Sequence, residues 1–429
     1  MDDQLEDIPS PRLPQELIDH IIDHLYDDPL ALANCARVCH AWLPTSRLHL
    51  FAKVSLKAAS PHNGPAVPQD RCKRLHALLL RSPEIIPYIR ELEICEGSPL
   101  HHTHPNVQSS TTWVTTERTL TALFKTLSHV ERFDFSSTSI FHWSTLSPTF
   151  ITALCVLFSL PSLTYVRLHS WVFPDFASLT RLLSHCQNLR ALALSSTTIN
   201  SDSGSELSHA PGVVPEDKDP GDLQHAQRPL EVLTLDYVNF AYLEYWLLGR
   251  QQLVDIRTLR ELRVAHFQEP HIINRLLRAL GGSLEHFHFK PGCWSVYPFD
   301  LSVNTGLRSL RLTLEDDPTT AAMDWAMKML SSITESNAVL ESVGIEFYAE
   351  PKKMTGWREL DALFMQPQFE SLKRVEMGLF AIPTHADFIA VKEEMSGLGS
   401  RDIVRWYQLG KNRQRSSRQL TPMISRYES

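Results

Sequence analysis

The sequence predicts an α/β chain: a small N-terminal three-helix module followed by an irregular solenoid, with parallel strands on the concave face and helices on the convex. Three observations carry this. One short apolar spacing recurs ten times from residue 89 onward, helix-like stretches separate its occurrences, and residues 12–51 place apolar side chains at helical intervals.

Length and composition bound what such a chain can be. At 429 residues it exceeds one ordinary domain, and two or three are expected. Its 43% apolar content is enough for a real core. The alternative architecture, a doubly wound α/β domain, calls for glycine-rich turns and longer buried runs, which 16 glycines serve poorly. A net charge of −8 argues against wholesale binding to nucleic acid. The balance is uneven: residues 1–50 carry nine acids and three bases, and residues 401–429 carry seven bases and two acids.

Met1-Asp2-Asp3-Gln4-Leu5-Glu6-Asp7 is the reverse of a secretory leader. The apolar run from Phe150 to Leu160 is too short to cross a bilayer. A soluble chain without a membrane partner is expected. Seven scattered cysteines suit a reducing compartment, so cytosol or nucleus follows.

In the N-terminal module Leu17, Ile21 and Leu25 stand four apart, with Ile18 and Ile22 beside them, so one helical face is apolar. Pro14 suits the first turn of that helix, and Asp27-Asp28-Pro29 is expected to end it. Leu32, Cys35, Ala36 and Cys39 continue at helical spacing to Trp42. Three short helices bury too little surface to be comfortable alone, and an apolar face left over suggests a partner.

The run Leu13-Pro14-x-Glu16-Leu17-x-x-x-Ile21-x-x-x-Leu25, with Leu32, Val38-Cys39 and Trp42, resembles the F-box motif. The tail Trp42-Leu43-Pro44-x-x-Arg47-x-x-Leu50-Phe51 is similar to the variant in the expanded fungal F-box families. The resemblance covers about a tenth of the chain. It implies docking onto the Skp-type linker of a cullin–RING (SCF) ubiquitin ligase, through Leu13, Pro14, Leu17, Ile21, Leu25, Leu32, Val38 and Trp42. The alternative is a small amphipathic bundle packed on its own protein.

The recurring spacing is apolar-x-x-apolar-x-apolar. It appears at Ile89/Leu92/Ile94, Val130/Phe133/Phe135, Leu163/Val166/Leu168, Leu189/Leu192/Leu194 and Leu230/Leu233/Leu235. It continues at Leu259/Leu262/Val264, Leu284/Phe287/Phe289, Leu307/Leu310/Leu312, Leu340/Val343/Ile345 and Leu372/Val375/Met377. Successive starts lie 23 to 41 residues apart, mostly at or slightly above the ~20–29 of a leucine-rich repeat. Helices are expected at Glu117–Ser128, Pro148–Leu160, Asp175–Cys186, His271–Leu280 and Thr319–Ser336.

A strand and a helix at near-fixed period bury a continuous core only when neighbouring units stack. The body therefore resembles a leucine-rich-repeat solenoid. The asparagine usual beyond the last leucine of that motif is missing, so irregular turns are expected.

The expected layout is an acidic tail (1–11), the F-box (12–56), a linker (57–71) and the repeats (72–400). A mobile acidic insert at 198–228 interrupts the repeats, and a capping segment with a basic tail (401–429) follows them.

In each strand the third and fifth motif positions should face away from the core. Arg263, His286, His288, Lys290 and Arg311 then line up as a candidate basic patch. Such a patch would suit an acidic or phosphorylated protein target. The alternative is a solvated face of mixed charge, to which Glu261 and Glu376 contribute.

His101-His102-x-His104 and the Cys35/Cys39/His40 group lack a second set of ligands at metal spacing, so a loop and a core are expected there. Lys411, Arg413, Arg415 and Arg418 suit a basic tail or a nuclear-localisation segment. No nucleophile elbow, P-loop, H-E-x-x-H or dinucleotide fingerprint is present, so no cofactor, metal or catalytic residue is expected. The reading is a non-enzymatic adaptor that brings a protein target to a ubiquitin ligase. A non-degradative scaffold built on the same parts is its alternative.

Overall fold

The computed structural model describes residues 13–57, 68–97, 113–199, 228–238, 246–248, 254–267, 270–291, 298–314, 321–348, 354–379 and 385–409. The expected acidic tail, most of the linker, the loop bearing His101, His102 and His104, nearly all of the insert and the run Lys411 to Arg418 lie outside them. The chain forms two compact units, residues 1–166 with 181–187 and residues 167–180 with 188–429.

The first unit opens with α1 (Gln15–Asp23), α2 (Pro29–Cys35) and α3 (Leu43–Ala52). Pro14 is the N-cap of α1. That helix stops at Asp23, earlier than its apolar spacing predicts, and Leu25 stands in the turn that follows. The reason is local. Asp28 serves the next helix, its carboxylate accepting the amides of Leu30 and Ala31 at 3.0 Å each, with Pro29 at the first helical position.

Strand β1 (Lys53–Lys57) follows directly and pairs in parallel with β2 (Glu91–Glu96), which pairs with β3 (Arg132–His142). Strand β1 was not expected: it carries no copy of the repeat spacing. Leu92, Ile94, Phe133 and Phe135 are buried with Leu120, Leu123, Phe124 and Phe158 from the helices.

The chain enters the second unit within β4 (Tyr165–Phe173). There follow β5 (Ala191–Ser195), β6 (Thr198–Ile199), β7 (Arg228–Pro229), β8 (Val232–Asp236), β9 (Val254–Asp255) and β10 (Glu261–Phe267). Then come β11 (His286–Pro291), β12 (Ser309–Leu314), β13 (Ser342–Phe347), β14 (Arg374–Leu379) and β15 (Val404–Gln408). Strands β5, β8 and β10 to β15 pair in that order, all parallel. Each of the ten predicted spacings supplies a strand. The five predicted helices are found at Arg118–Thr126, Pro148–Phe158, Phe176–Ser184, Pro270–Leu280 and Ala321–Ser331.

Three devices join one repeat to the next. A Ser or Thr just before the first apolar position donates to the carbonyl one repeat earlier: Ser162 to Val130, Thr258 to Leu230, Ser283 to Leu259 and Ser371 to Leu340, at 2.9–3.3 Å. Buried Asn304 and Asn337 cross-link carbonyls, Asn337 Nδ2 reaching Asn304 O at 2.9 Å. The turns thus have an asparagine pair, displaced from the position where the repeat pattern usually puts one.

The third device is charge. The residue after the first apolar position alternates in sign, apart from Thr164. Arg90 meets Glu131 at 2.6 Å in the first unit. In the second, Arg190 meets Glu231, Arg260 and Arg308 meet Glu285, and Arg308 and Lys373 meet Glu341, at 3.1–3.9 Å. The two units are therefore α/β repeat structures with parallel strands, of the leucine-rich-repeat kind.

Candidate functional site

Two surfaces bear on function, one in each unit. On α1 the usual partition of polar and apolar residues is inverted. Asp19 accepts from Thr45 Oγ1 at 2.6 Å, Asp23 meets His49 Nε2 at 2.7 Å, and Ile22 is fully buried, so these fix α1 to α3. Leu17 and Ile21, one turn apart, are left 49% and 51% exposed, and Leu13 and Val38 are 59% and 61% exposed. Large apolar side chains lined up on the outside of a small helical unit mark a contact surface.

The eight motif residues thus separate by position. Leu32 is buried and Leu25 and Trp42 are half-buried, while Pro14 is exposed at the start of α1. Cys35 is half-buried and Cys39 exposed.

In the second unit, Arg263, His288 and Arg311 stand opposite one another on β10, β11 and β12. Lys290 stands opposite Ala265, and His286 between Glu261 and Ser309. The structure brings the five residues together but changes their electrostatics. Arg263 is paired with Glu261 through Nε. Arg311 is held by Glu376 at 2.5 Å and Glu346 at 3.4 Å. His288 hydrogen-bonds Thr313 Oγ1 at 3.0 Å; burial, reinforced by Arg311, Arg263 and Lys290, pushes its imidazole down to about 3. It is therefore neutral at physiological pH. The face is a ladder of compensated charge.

Sequence reasoning missed the groups that complete this ladder. Glu346 also accepts from Thr313 Oγ1 and from Tyr407 Oη, each at 2.9 Å. Tyr407 lies over Gly378, where an added Cβ would come within 2.8 Å of the ring. The available signal was Gly344 and Gly378 inside strands, which mark a close approach.

Also unforeseen, Tyr237 and His266 both adopt left-handed φ (50° and 52°), with ring centroids 3.9 Å apart. His266 Nδ1 meets the buried Asp236 carboxylate at 2.7 Å.

Among the described residues no helix is long and apolar enough to cross a membrane, and no group of three or more His, Cys, Asp or Glu is placed to hold a metal. The fold defines a leucine-rich-repeat-like protein. No family model and no curated protein matches the chain. Among solved structures it is similar to the yeast Rad7–Elc1 complex, with 15% identity over 94% of this chain and 94% of that chain, at a TM-score of 0.39. It is also similar to a leucine-rich-repeat protein of Leptospira interrogans, with 10% identity over 90% and 98% of the chains, at a TM-score of 0.31.

Proposed function

We propose that this chain is a substrate-recognition adaptor of an SCF-type ubiquitin ligase. Residues 12–56 act as an F-box that docks on a Skp-type linker and, through it, on cullin and RING subunits. The repeats hold a protein target. The observation that carries the reading is the exposed apolar row Leu13, Leu17 and Ile21 with Val38, which the unit's own core does not use. Leu32 is buried, and Leu25 and Trp42 are half-buried.

The chain supplies proximity, and its partners perform ubiquitin transfer. The compartment is the cytosol or nucleus. The target face is the ladder around Arg263, His286, His288, Lys290 and Arg311. An acidic or phosphorylated segment binds there by exchanging with Glu261, Glu346 or Glu376 for the arginines.

The test is copurification from cells. Linker and cullin should accompany the chain and be lost in Leu17→Asp/Ile21→Asp. A bound target should accumulate in that variant. Linker without cullin would move the reading to a non-degradative scaffold, and loss of neither protein would reject the docking surface. For the target face, Arg263→Glu/Arg311→Glu should abolish target capture; unchanged capture rejects that assignment.

A further inference from the structure

His20 and His24 border the exposed row of the first unit, His20 three residues after Leu17 and His24 three after Ile21. They lie one turn apart, His20 in α1 and His24 at its C-cap, both exposed, with Nε2 atoms 3.4 Å apart and ring centroids at 4.7 Å. Residues at i and i+4 share a helix face, and two imidazoles so placed can chelate one metal ion.

The separation is compatible with one shared tetrahedral ion. With metal–nitrogen bonds of about 2.0–2.1 Å, nitrogens 3.4 Å apart subtend about 110° at a shared ion. That is the tetrahedral angle zinc adopts, and it is wider than the roughly 90° of square-planar copper(II) or octahedral sites.

The carboxylates nearest in sequence are committed elsewhere, Asp23 to His49 and Asp19 to Thr45 and Gln15. Glu16, four residues before His20, is exposed.

We propose that His20 and His24 bind Zn2+ through their Nε2 atoms, with water or a carboxylate completing the coordination. In the bound form each ring is neutral with its proton on Nδ1, so a proton now on Nε2 of the donating ring moves to Nδ1 or is released to water. With two protein ligands, the site exchanges its ion. Bridging i and i+4 also ties residues 20–24 into a helical turn at the C-terminal end of α1.

The test is calorimetric titration of Zn2+ into the full chain carrying His101→Ser/His102→Ser/His104→Ser, which removes the other histidine-rich run of the sequence. Adding His20→Asn/His24→Asn should remove one equivalent of bound Zn2+. His24→Asn alone should weaken that equivalent at least tenfold, with helical circular dichroism in metal-free buffer unchanged. A second readout needs no further substitution: in the 15N spectrum of the parent, both Nε2 resonances should move together on Zn2+ addition. Equal uptake by parent and double variant, or movement of neither Nε2 resonance, overturns the site.

Discussion

Arg311 on β12 reaches across Gly344 on β13 to donate to Glu376 on β14, at 2.5 Å. A Cβ on Gly344 would stand 3.3 Å from Arg311 Nε, so the glycine provides the path of the guanidinium. Gly344→Val should therefore cost about 1–2 kcal/mol, measured by denaturant unfolding. In that background Glu376→Gln should cost less than in the parent. Equal costs would show that the side chain at position 344 leaves the pair undisturbed.

His288 makes stability depend on pH with a definite sign. Its folded pKa is lowered, so below the unfolded value of about 6.5 the unfolded chain binds a proton that the folded chain refuses. This contribution is intact above about 6.5 and is lost progressively down to about 3. The slope should be about 1 kcal/mol between pH 6.5 and 5.5, and His288→Gln should flatten it. An unchanged slope in the variant would assign the dependence to other groups.

The alternating ladder predicts a salt-dependent effect of charge reversal. Glu285→Arg places a cation between Arg260 and Arg308 and should lower stability by about 0.5–1 kcal/mol at low ionic strength. About 1 M salt, with a Debye length near 3 Å, should remove most of the difference. Glu285→Gln should show a smaller loss. Denaturation midpoints at the two salt levels decide it.

On the first unit, Leu17→Asp/Ile21→Asp should lower the thermal midpoint less than Leu32→Ala, because about half of each side chain already faces water. Leu32→Ala removes a buried side chain and should cost about 2–5 kcal/mol. Thermal unfolding of both variants, beside a linker pull-down, separates a contact surface from a core.

The repeat strands were legible because burial demands an apolar residue at fixed intervals whatever else the sequence does. Each Leu-x-x-Leu-x-Leu copy became a strand with those residues inside. Strands β1 and β15 were not legible as strands, since edge positions bury less and carry weaker spacing. The end of α1 was misplaced because Asp28 could equally stop one helix or start another, and only its bonds to Leu30 and Ala31 choose. The paired charges at 90, 131, 190, 231, 260, 285, 308, 341 and 373 were visible in principle, once the repeats are laid one above another.

The sequence by itself determined which side chains line the interior and that the chain is built from repeats. The cause is local: period and apolarity are properties of short segments. Tertiary structure alone decided that Leu17 and Ile21 face outward while Ile22 does not. It alone placed Arg263 and Arg311 against carboxylates, Glu376 being sixty-five residues from its arginine, and kept His288 neutral. Exposure, ion pairing and proton affinity are set by neighbours that strand register brings together.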